Sequence, residues 1–138
     1  MTAQSQSQLQ AQAFRAAVEA GDHAAMTAAM AEDVVFHSPV AFRPFVGRET
    51  VAGLFTALLD TFESFAYTDE LHEGNTTTLV FNASVGGKKI QGIDLMRFDE
   101  DGKVYEFTAM LRPLSGLIAM GEAMAPKVGD LAKGDAPK

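Results

Sequence analysis

The sequence has no cysteine and no tryptophan among its 138 residues. Without cysteine the chain can form no disulfide, thiolate metal site or iron–sulfur cluster, and it has no cysteine nucleophile. No apolar run approaches the roughly 20 residues that a membrane-spanning helix needs. Residues 1–12 are polar and uncharged, so they lack the basic and apolar segments of a signal peptide. We therefore expect a cytoplasmic protein with no membrane partner.

Basic residues are also scarce, with 11 Lys and Arg against 18 Asp and Glu and a formal net charge of −7. A nucleic-acid backbone requires a positive protein surface, so we expect no nucleic-acid partner. The three histidines, His23, His37 and His72, share no metal-ligand spacing. Neither a phosphate-binding loop nor a dinucleotide fingerprint is present. We therefore expect no metal and no cofactor.

The residues that are present fit one globular domain, since 47% are hydrophobic and the length suits a single core. Apolar residues recur at helical spacing in the N-terminal half, which predicts helices over residues 9–20, 22–31 and 48–62. A β-branched segment at residues 33–38 predicts a strand between the second and third helices.

The C-terminal half alternates apolar and polar residues, which predicts antiparallel strands separated by tight turns. These strands are expected over residues 65–73, 76–85, 88–98 and 103–112. Helical spacing returns at Leu117, Met120 and Met124 and predicts a short helix packed on the body.

The order of these elements predicts an α+β fold with the sequence α-α-β-α followed by a β-meander. We expect a cone-shaped, curved antiparallel sheet packed on the three N-terminal helices, with an apolar cavity inside the cone. The expected divisions are a flexible lead-in over residues 1–12, one domain over residues 13–125 and a polar tail over residues 126–138.

Asp94 is an unusual residue for the middle of the predicted strand 88–98, because aspartate is depleted in strand interiors. It shares its parity with Gly92 and Met96, which places it on the apolar face. A carboxylate there is costly unless it is protonated or paired. The functional hypothesis is a carboxyl group facing the cavity, and the alternative is a locally reversed parity with Arg112 as an ion-pair partner.

His37 is a candidate general base, because it ends the first strand and imidazole titrates near neutrality. If Phe36 and Ser38 point inward, however, His37 points the other way and is a solvated imidazole. Both readings remain open. We expect His72 at a surface strand position and His23 exposed on the second helix.

Four segments carry a family pattern in their order and spacing: FRAAVEAGD (14–22), EDVVFHSPV (32–40), GRETV (47–51) and GIDLMRF (92–98), the last followed by GKV (102–104). Together they resemble the SnoaL-like branch of the nuclear transport factor two-like superfamily, and within it the ketosteroid isomerases. The resemblance covers about residues 13–112. It implies a cystatin-like fold, an apolar ligand cavity and a homodimer formed through the outer face of the sheet.

The resemblance also assigns roles to three positions. Asp94 matches the protonated aspartate that hydrogen-bonds the substrate oxygen in ketosteroid isomerases. The tyrosine that assists it falls on Phe14, and the general-base aspartate falls on Ser38. Phe14 has no hydroxyl and the pKa of a serine is far too high for a base. Two of the three groups that the isomerase reaction needs are therefore replaced.

The function expected from these observations is the binding or processing of a small apolar molecule that carries a carbonyl group. Three hypotheses remain: an isomerase- or cyclase-type enzyme, a non-catalytic ligand carrier, and a structural dimerisation module whose side chains fill the cone. The direction of His37 separates the first two, and the cavity volume separates the third. The candidate residues are Asp94 and His37 for catalysis and Phe14, Ser38, Phe55, Met96 and Phe107 for the cavity lining.

Overall fold

The computed structural model describes residues 6–132 of the chain. Helices and strands follow the α+β order that the sequence predicts, with one additional short strand. None of the helices in this range is long and apolar enough to cross a membrane. The elements are α1 (Gln6–Ala20), α2 (His23–Ala28), β1 (Met30–His37), β2 (Phe45–Val46), α3 (Arg48–Thr61), β3 (Ser64–Glu73), β4 (Thr76–Val85), β5 (Lys88–Phe98), β6 (Val104–Arg112) and α4 (Leu114–Ala132).

The six strands form one sheet in the order β2-β1-β6-β5-β4-β3. Strands β3 to β6 make the antiparallel meander that the alternation predicts. Strand β1 instead pairs in parallel with β6, with Phe36 opposite Phe107. A local pattern does not reveal this pairing, because the two strands are far apart in sequence. It places the end of β1 beside the middle of β6, the last strand of the meander.

Four phenylalanine rings from different elements meet on the inner face of the sheet. Phe55 of α3 lies 4.7 Å from Phe107 of β6, measured between ring centroids, and 5.5 Å from Phe36 of β1. Phe14 of α1 lies 5.9 Å from Phe107. Edge-on and tilted contacts at these distances stabilise the core beyond the burial of the rings themselves. This phenylalanine cluster fixes α1 and α3 on the sheet.

Element boundaries differ from the prediction at the N-terminal side. Helix α1 begins at Gln6, and Ala11 is fully buried, so the expected lead-in is helical from Gln6 onward. Residues 1–5 lie outside the described part of the chain. Helix α2 ends at Ala28, because Met30 joins β1 and pairs with Val104. The strand pairing overrides the helical spacing of the sequence.

Helix α4 is longer than predicted. It contains Met120 and Met124, which are buried as expected, and it packs on α3 and on strands β4 to β6. It continues past Pro126 to Ala132, within the segment expected to be a polar tail, and Val128 beyond the proline packs on the core. This apolar contact stabilises the helix beyond its proline. Residues 133–138 of the expected tail lie outside the described residues.

Gly92 allows the inner face of the sheet to pack closely at its centre. It lies opposite Phe81 of β4 and Leu111 of β6. A Cβ atom at this position would lie 2.3 Å from the Phe81 ring and 2.6 Å from a Leu111 methyl group. The Phe81 ring therefore occupies space that any larger residue at position 92 would need.

We expect Gly92→Ala to lower the free energy of unfolding by about 1–3 kcal/mol, because the added methyl group overpacks the core. Gly121→Ala on α4 is the matched control, since its Cβ would lie 3.6 Å from Val40, an ordinary contact. The free energy of unfolding of this control should rise by about 0.5–1 kcal/mol, because alanine favours a helix more than glycine does. Urea denaturation of both variants checks this, and a Gly92→Ala protein as stable as the parent would contradict it.

Candidate functional site

An apolar cavity of about 180 Å³ lies between the inner face of the sheet and helices α3 and α4. The sheet, α3, α4 and the loop that follows β1 form its walls. Phe36 and Phe55 of the phenylalanine cluster line it, whereas Phe14 and Phe107 do not, so the cluster forms one boundary of the cavity. The polar side chains among its lining residues are Ser38, Tyr67 and Asp94.

Asp94 faces the cavity from β5, as its parity predicts, and is only 7% exposed. Its strand neighbours in register are Leu79 and Ala109. Among the described residues, the Asp94 carboxyl has no hydrogen-bond or ion-pair partner. The alternative pairing with Arg112 is wrong, because Arg112 donates to the Gln91 side chain at 3.2 Å.

The environment of Asp94 changes its ionisation. Burial raises the pKa of this carboxyl to about 8. The group is therefore mostly protonated near neutral pH and carries one O–H donor. A neutral carboxylic acid in an apolar wall can donate a hydrogen bond to an oxygen that enters the cavity.

Tyr67 is a cavity residue that the sequence pattern did not single out. It lies on β3, and its ring contacts Phe65 edge-on at 5.0 Å between centroids. Burial, and after it the charge of Asp94, raises the pKa of the Tyr67 phenol above its ordinary value. The phenol therefore keeps its proton. The signal in the sequence was the shared parity of Tyr67 with Phe65 in an alternating strand.

His37 lies on the opposite face of the sheet. Its Nε2 atom is 3.0 Å from a carboxylate oxygen of Glu106, whose other oxygen is 3.3 Å from Nε of Arg97. The imidazole is 39% exposed and does not line the cavity. Because side chains alternate along β1, Phe36 turns inward and His37 turns outward. The structure therefore separates the two residues predicted for catalysis, His37 and Asp94.

Ser38 lines the cavity but is engaged in a turn. Its Oγ accepts hydrogen bonds from the backbone N–H groups of Val40 at 3.0 Å and Ala41 at 3.3 Å. Such local bonds stabilise turns. Ser38 therefore shapes the loop at the cavity wall, and its oxygen is engaged with the backbone of that loop.

Of the other predicted lining residues, only Phe55 lines the cavity. Phe14, Met96 and Phe107 are buried in the core instead, each 1% exposed or less. Phe14 and Phe107 lie in the phenylalanine cluster, on the side away from the cavity. All three residues were expected to line the cavity, and the structure places them in the core beside it.

A second polar group lies under α1, outside the cavity lining. His72 was expected at the surface, but its side chain is only 14% exposed. Its Nε2 atom lies 2.6 Å from a carboxylate oxygen of Glu70, and its Nδ1 atom lies 2.8 Å from Oγ1 of Thr77. Arg15 donates to Glu70 at 2.9 Å. Burial alone would raise the pKa of Glu70, but the hydrogen bonds from Arg15 and His72 lower it. An irregularity in β3 after Tyr67 reverses the parity and turns these side chains inward.

Within residues 7–128, no three His, Asp or Glu side chains lie close enough together to hold a metal ion. The side chains of the cavity lining that can donate or accept a hydrogen bond are those of Asp94, Tyr67 and Ser38.

A curved sheet closed by helices around an apolar cavity defines the cystatin-like class of α+β proteins, which includes the nuclear transport factor two-like superfamily. The sequence model of the SnoaL-like domain family matches residues 11–107, and the chain belongs to that family. The resemblance seen in the sequence and the fold that it implied are both confirmed. No curated protein matches the chain.

Solved structures show the same fold. A steroid delta-isomerase from Pseudomonas aeruginosa is 32% identical, with 94% of this chain and 96% of that chain covered and a TM-score of 0.86. A protein with a cystatin-like fold from Silicibacter pomeroyi is 29% identical, covering 86% of this chain and 84% of that one, with a TM-score of 0.82. A nuclear transport factor two-like protein from Burkholderia xenovorans is 22% identical, covering 77% of this chain and 82% of that one, with a TM-score of 0.67. At this identity the likeness shows the fold alone.

The raised pKa of Asp94 makes stability depend on pH. An unfolded chain releases this proton near its ordinary pKa of about 3.9, whereas the folded chain keeps it to about pH 8. The folded state binds more protons between these values, so the free energy of unfolding falls as pH rises, by up to roughly 5 kcal/mol. Asp94→Asn should remove this fall.

Urea unfolding at pH 5 and pH 8.5 measures this effect. Glu100→Gln, an exposed change in the turn after β5, is the matched control and should keep the parent's pH dependence. An equal pH dependence in the parent and in Asp94→Asn would show that Asp94 is solvated, as would a carboxyl titration midpoint at or below about pH 4 by NMR.

Proposed function

We propose that this protein binds a small apolar molecule with a carbonyl-type oxygen, which accepts a hydrogen bond from the protonated Asp94 carboxyl. The observation that carries the proposal is this carboxyl, buried in an apolar cavity wall without a partner among the described residues. A hydrogen bond from the Asp94 carboxyl to a ligand oxygen in the cavity would stabilise the complex by about 0.5–1.5 kcal/mol. The apolar walls favour the remainder of such a ligand.

Proton transfer of the isomerase type is the second candidate, because the chain is 32% identical to a steroid delta-isomerase. The positions of the two candidate bases disfavour proton transfer. Ser38 stands where the resemblance puts the general base, and its oxygen is engaged with the loop backbone. His37, the other candidate base, is paired with Glu106 on the opposite face. The proposal is therefore ligand binding with little or no steroid isomerisation.

A cyclic ketone tests the proposal. We expect cyclohexanone to shift the NMR signals of the Met120 and Met124 methyl groups saturably, since both residues line the cavity. The methyl group of Met110, which is exposed on the outer face, is the internal control. Asp94→Leu, which has no donor, should weaken binding roughly tenfold.

The pH dependence of this binding separates a hydrogen bond from simple packing. Between pH 7 and pH 9 the parent should lose affinity, because the Asp94 carboxyl ionises and no longer donates. Asp94→Asn keeps an N–H donor that does not titrate, so its affinity should stay constant. The absence of saturable shifts in the parent at pH 7 would remove the proposal.

We also propose that the protein forms a homodimer through the outer face of its sheet. Val80, Ile93 and Met110 are aligned across three adjacent strands on that face. Ile93 is 37% exposed and Met110 51% exposed. A contiguous apolar row on a sheet surface is typical of an interaction site, and an isologous dimer would cover it in both copies.

Sedimentation should show a dimer for the parent and a monomer for Ile93→Lys, because a charge in this row would be buried without a partner. Leu9→Lys is the control, since Leu9 is exposed on α1 and away from the outer face of the sheet. It should remain dimeric. A monomeric parent at micromolar concentration would contradict the proposed dimer.

A further inference from the structure

We infer that Tyr67 and Asp94 together hold one acceptor oxygen of the ligand, and that this ligand is a single-ring or comparably small compound. The inference deepens the proposed function and rests on it. It assigns to Tyr67 a binding role, and it limits the size of the molecule that Asp94 contacts.

The two polar groups face the same cavity from neighbouring positions on the inner face of the sheet. Tyr67 lies opposite Phe81, which in turn lies opposite Gly92 on β5. Asp94 follows two residues after Gly92 and points to the same side. No residue in the described range offers a hydrogen-bond partner to the Tyr67 hydroxyl or to the Asp94 carboxyl. Two donors without partners in an apolar wall fit one oxygen, since a carbonyl oxygen has two lone pairs.

The ring of Tyr67 is held in place on several sides. Phe65 contacts it edge-on at 5.0 Å, and the Arg15 guanidinium carbon lies 5.2 Å from its centroid. Arg15 is itself fixed by hydrogen bonds to Glu70 at 2.9 Å and Glu19 at 3.2 Å. A phenol fixed in this way loses little conformational entropy when it binds a ligand. Its hydrogen bond therefore adds to the affinity for ligands that carry an acceptor oxygen.

The cavity volume limits the ligand. An apolar cavity of about 150 Å³ holds one benzene molecule, whereas drug-sized ligands occupy roughly 300 Å³ or more. The cavity here, at about 180 Å³, therefore suits one ring with an oxygen substituent. Phe81, whose ring occupies the space above Gly92, and Met120 and Met124 of α4 limit it. A four-ring steroid exceeds this volume and would not fit within the cavity.

The test compares a ketone with a hydrocarbon of the same shape. Cyclohexanone and methylenecyclohexane are titrated into the parent, Tyr67→Phe and Tyr105→Phe, with the methionine methyl signals as the readout. Tyr67→Phe should weaken cyclohexanone binding about threefold to tenfold and leave methylenecyclohexane unchanged. Tyr105→Phe is the matched control, because Tyr105 is the other tyrosine of the chain and does not line the cavity. It should bind both probes as the parent does.

Equal cyclohexanone affinity in the parent and in Tyr67→Phe would overturn the role of Tyr67 and leave that of Asp94 standing. A failure of cyclohexanone to bind the parent would instead remove the proposed function itself. Tyr67→Phe keeps the buried ring, and an unchanged melting temperature confirms that any loss of affinity is local.

The size limit has its own measurement. A 3-ketosteroid, titrated at the same concentrations, should give no saturable shift of the Met120 and Met124 signals. Steroid binding as tight as that of cyclohexanone would overturn the limit to single-ring ligands.

Discussion

The packing of four phenylalanine rings between helices and sheet is the interaction on which the rest of this structure depends. Phe14, Phe36, Phe55 and Phe107 come from α1, β1, α3 and β6, and their ring centroids lie 4.7–6.1 Å apart in the contacting pairs. Phe36 and Phe55 also line the apolar cavity, whereas Phe14 and Phe107 do not, so the cluster bounds the cavity on one side. The cavity is a consequence of where this cluster stops.

The cavity determines how the Asp94 carboxyl ionises. A carboxyl on a filled inner face would need a protein partner, and a carboxyl in a wide, hydrated cleft would ionise near its ordinary pKa. In a narrow apolar cavity it does neither, and burial keeps it protonated to about pH 8. The apolar surroundings disfavour the ionised carboxylate, and they also leave the O–H of the protonated carboxyl without a protein partner. The site therefore favours donation of a hydrogen bond over abstraction of a proton.

Family membership alone would suggest more chemistry than the cavity provides. The chain is 32% identical to a steroid delta-isomerase over nearly its whole length, yet a serine and a phenylalanine occupy two of the positions to which the sequence resemblance assigns catalytic groups. Tyr67 of β3 instead lines the cavity together with Asp94. A fold of this kind holds polar groups at many points around one apolar space, so the site can change while the packing stays the same.

The sequence by itself determined the order of the elements and the face of β5 on which Asp94 lies, because strand and helix periods are local properties. Only the tertiary structure decided how deep each side chain lies and what it meets. The parallel pairing of β1 with β6 brings His37 to Glu106, and the irregularity in β3 reverses the parity after Tyr67. Both depend on contacts between residues far apart in the chain, and a pattern that repeats every two or four residues carries no information about such contacts.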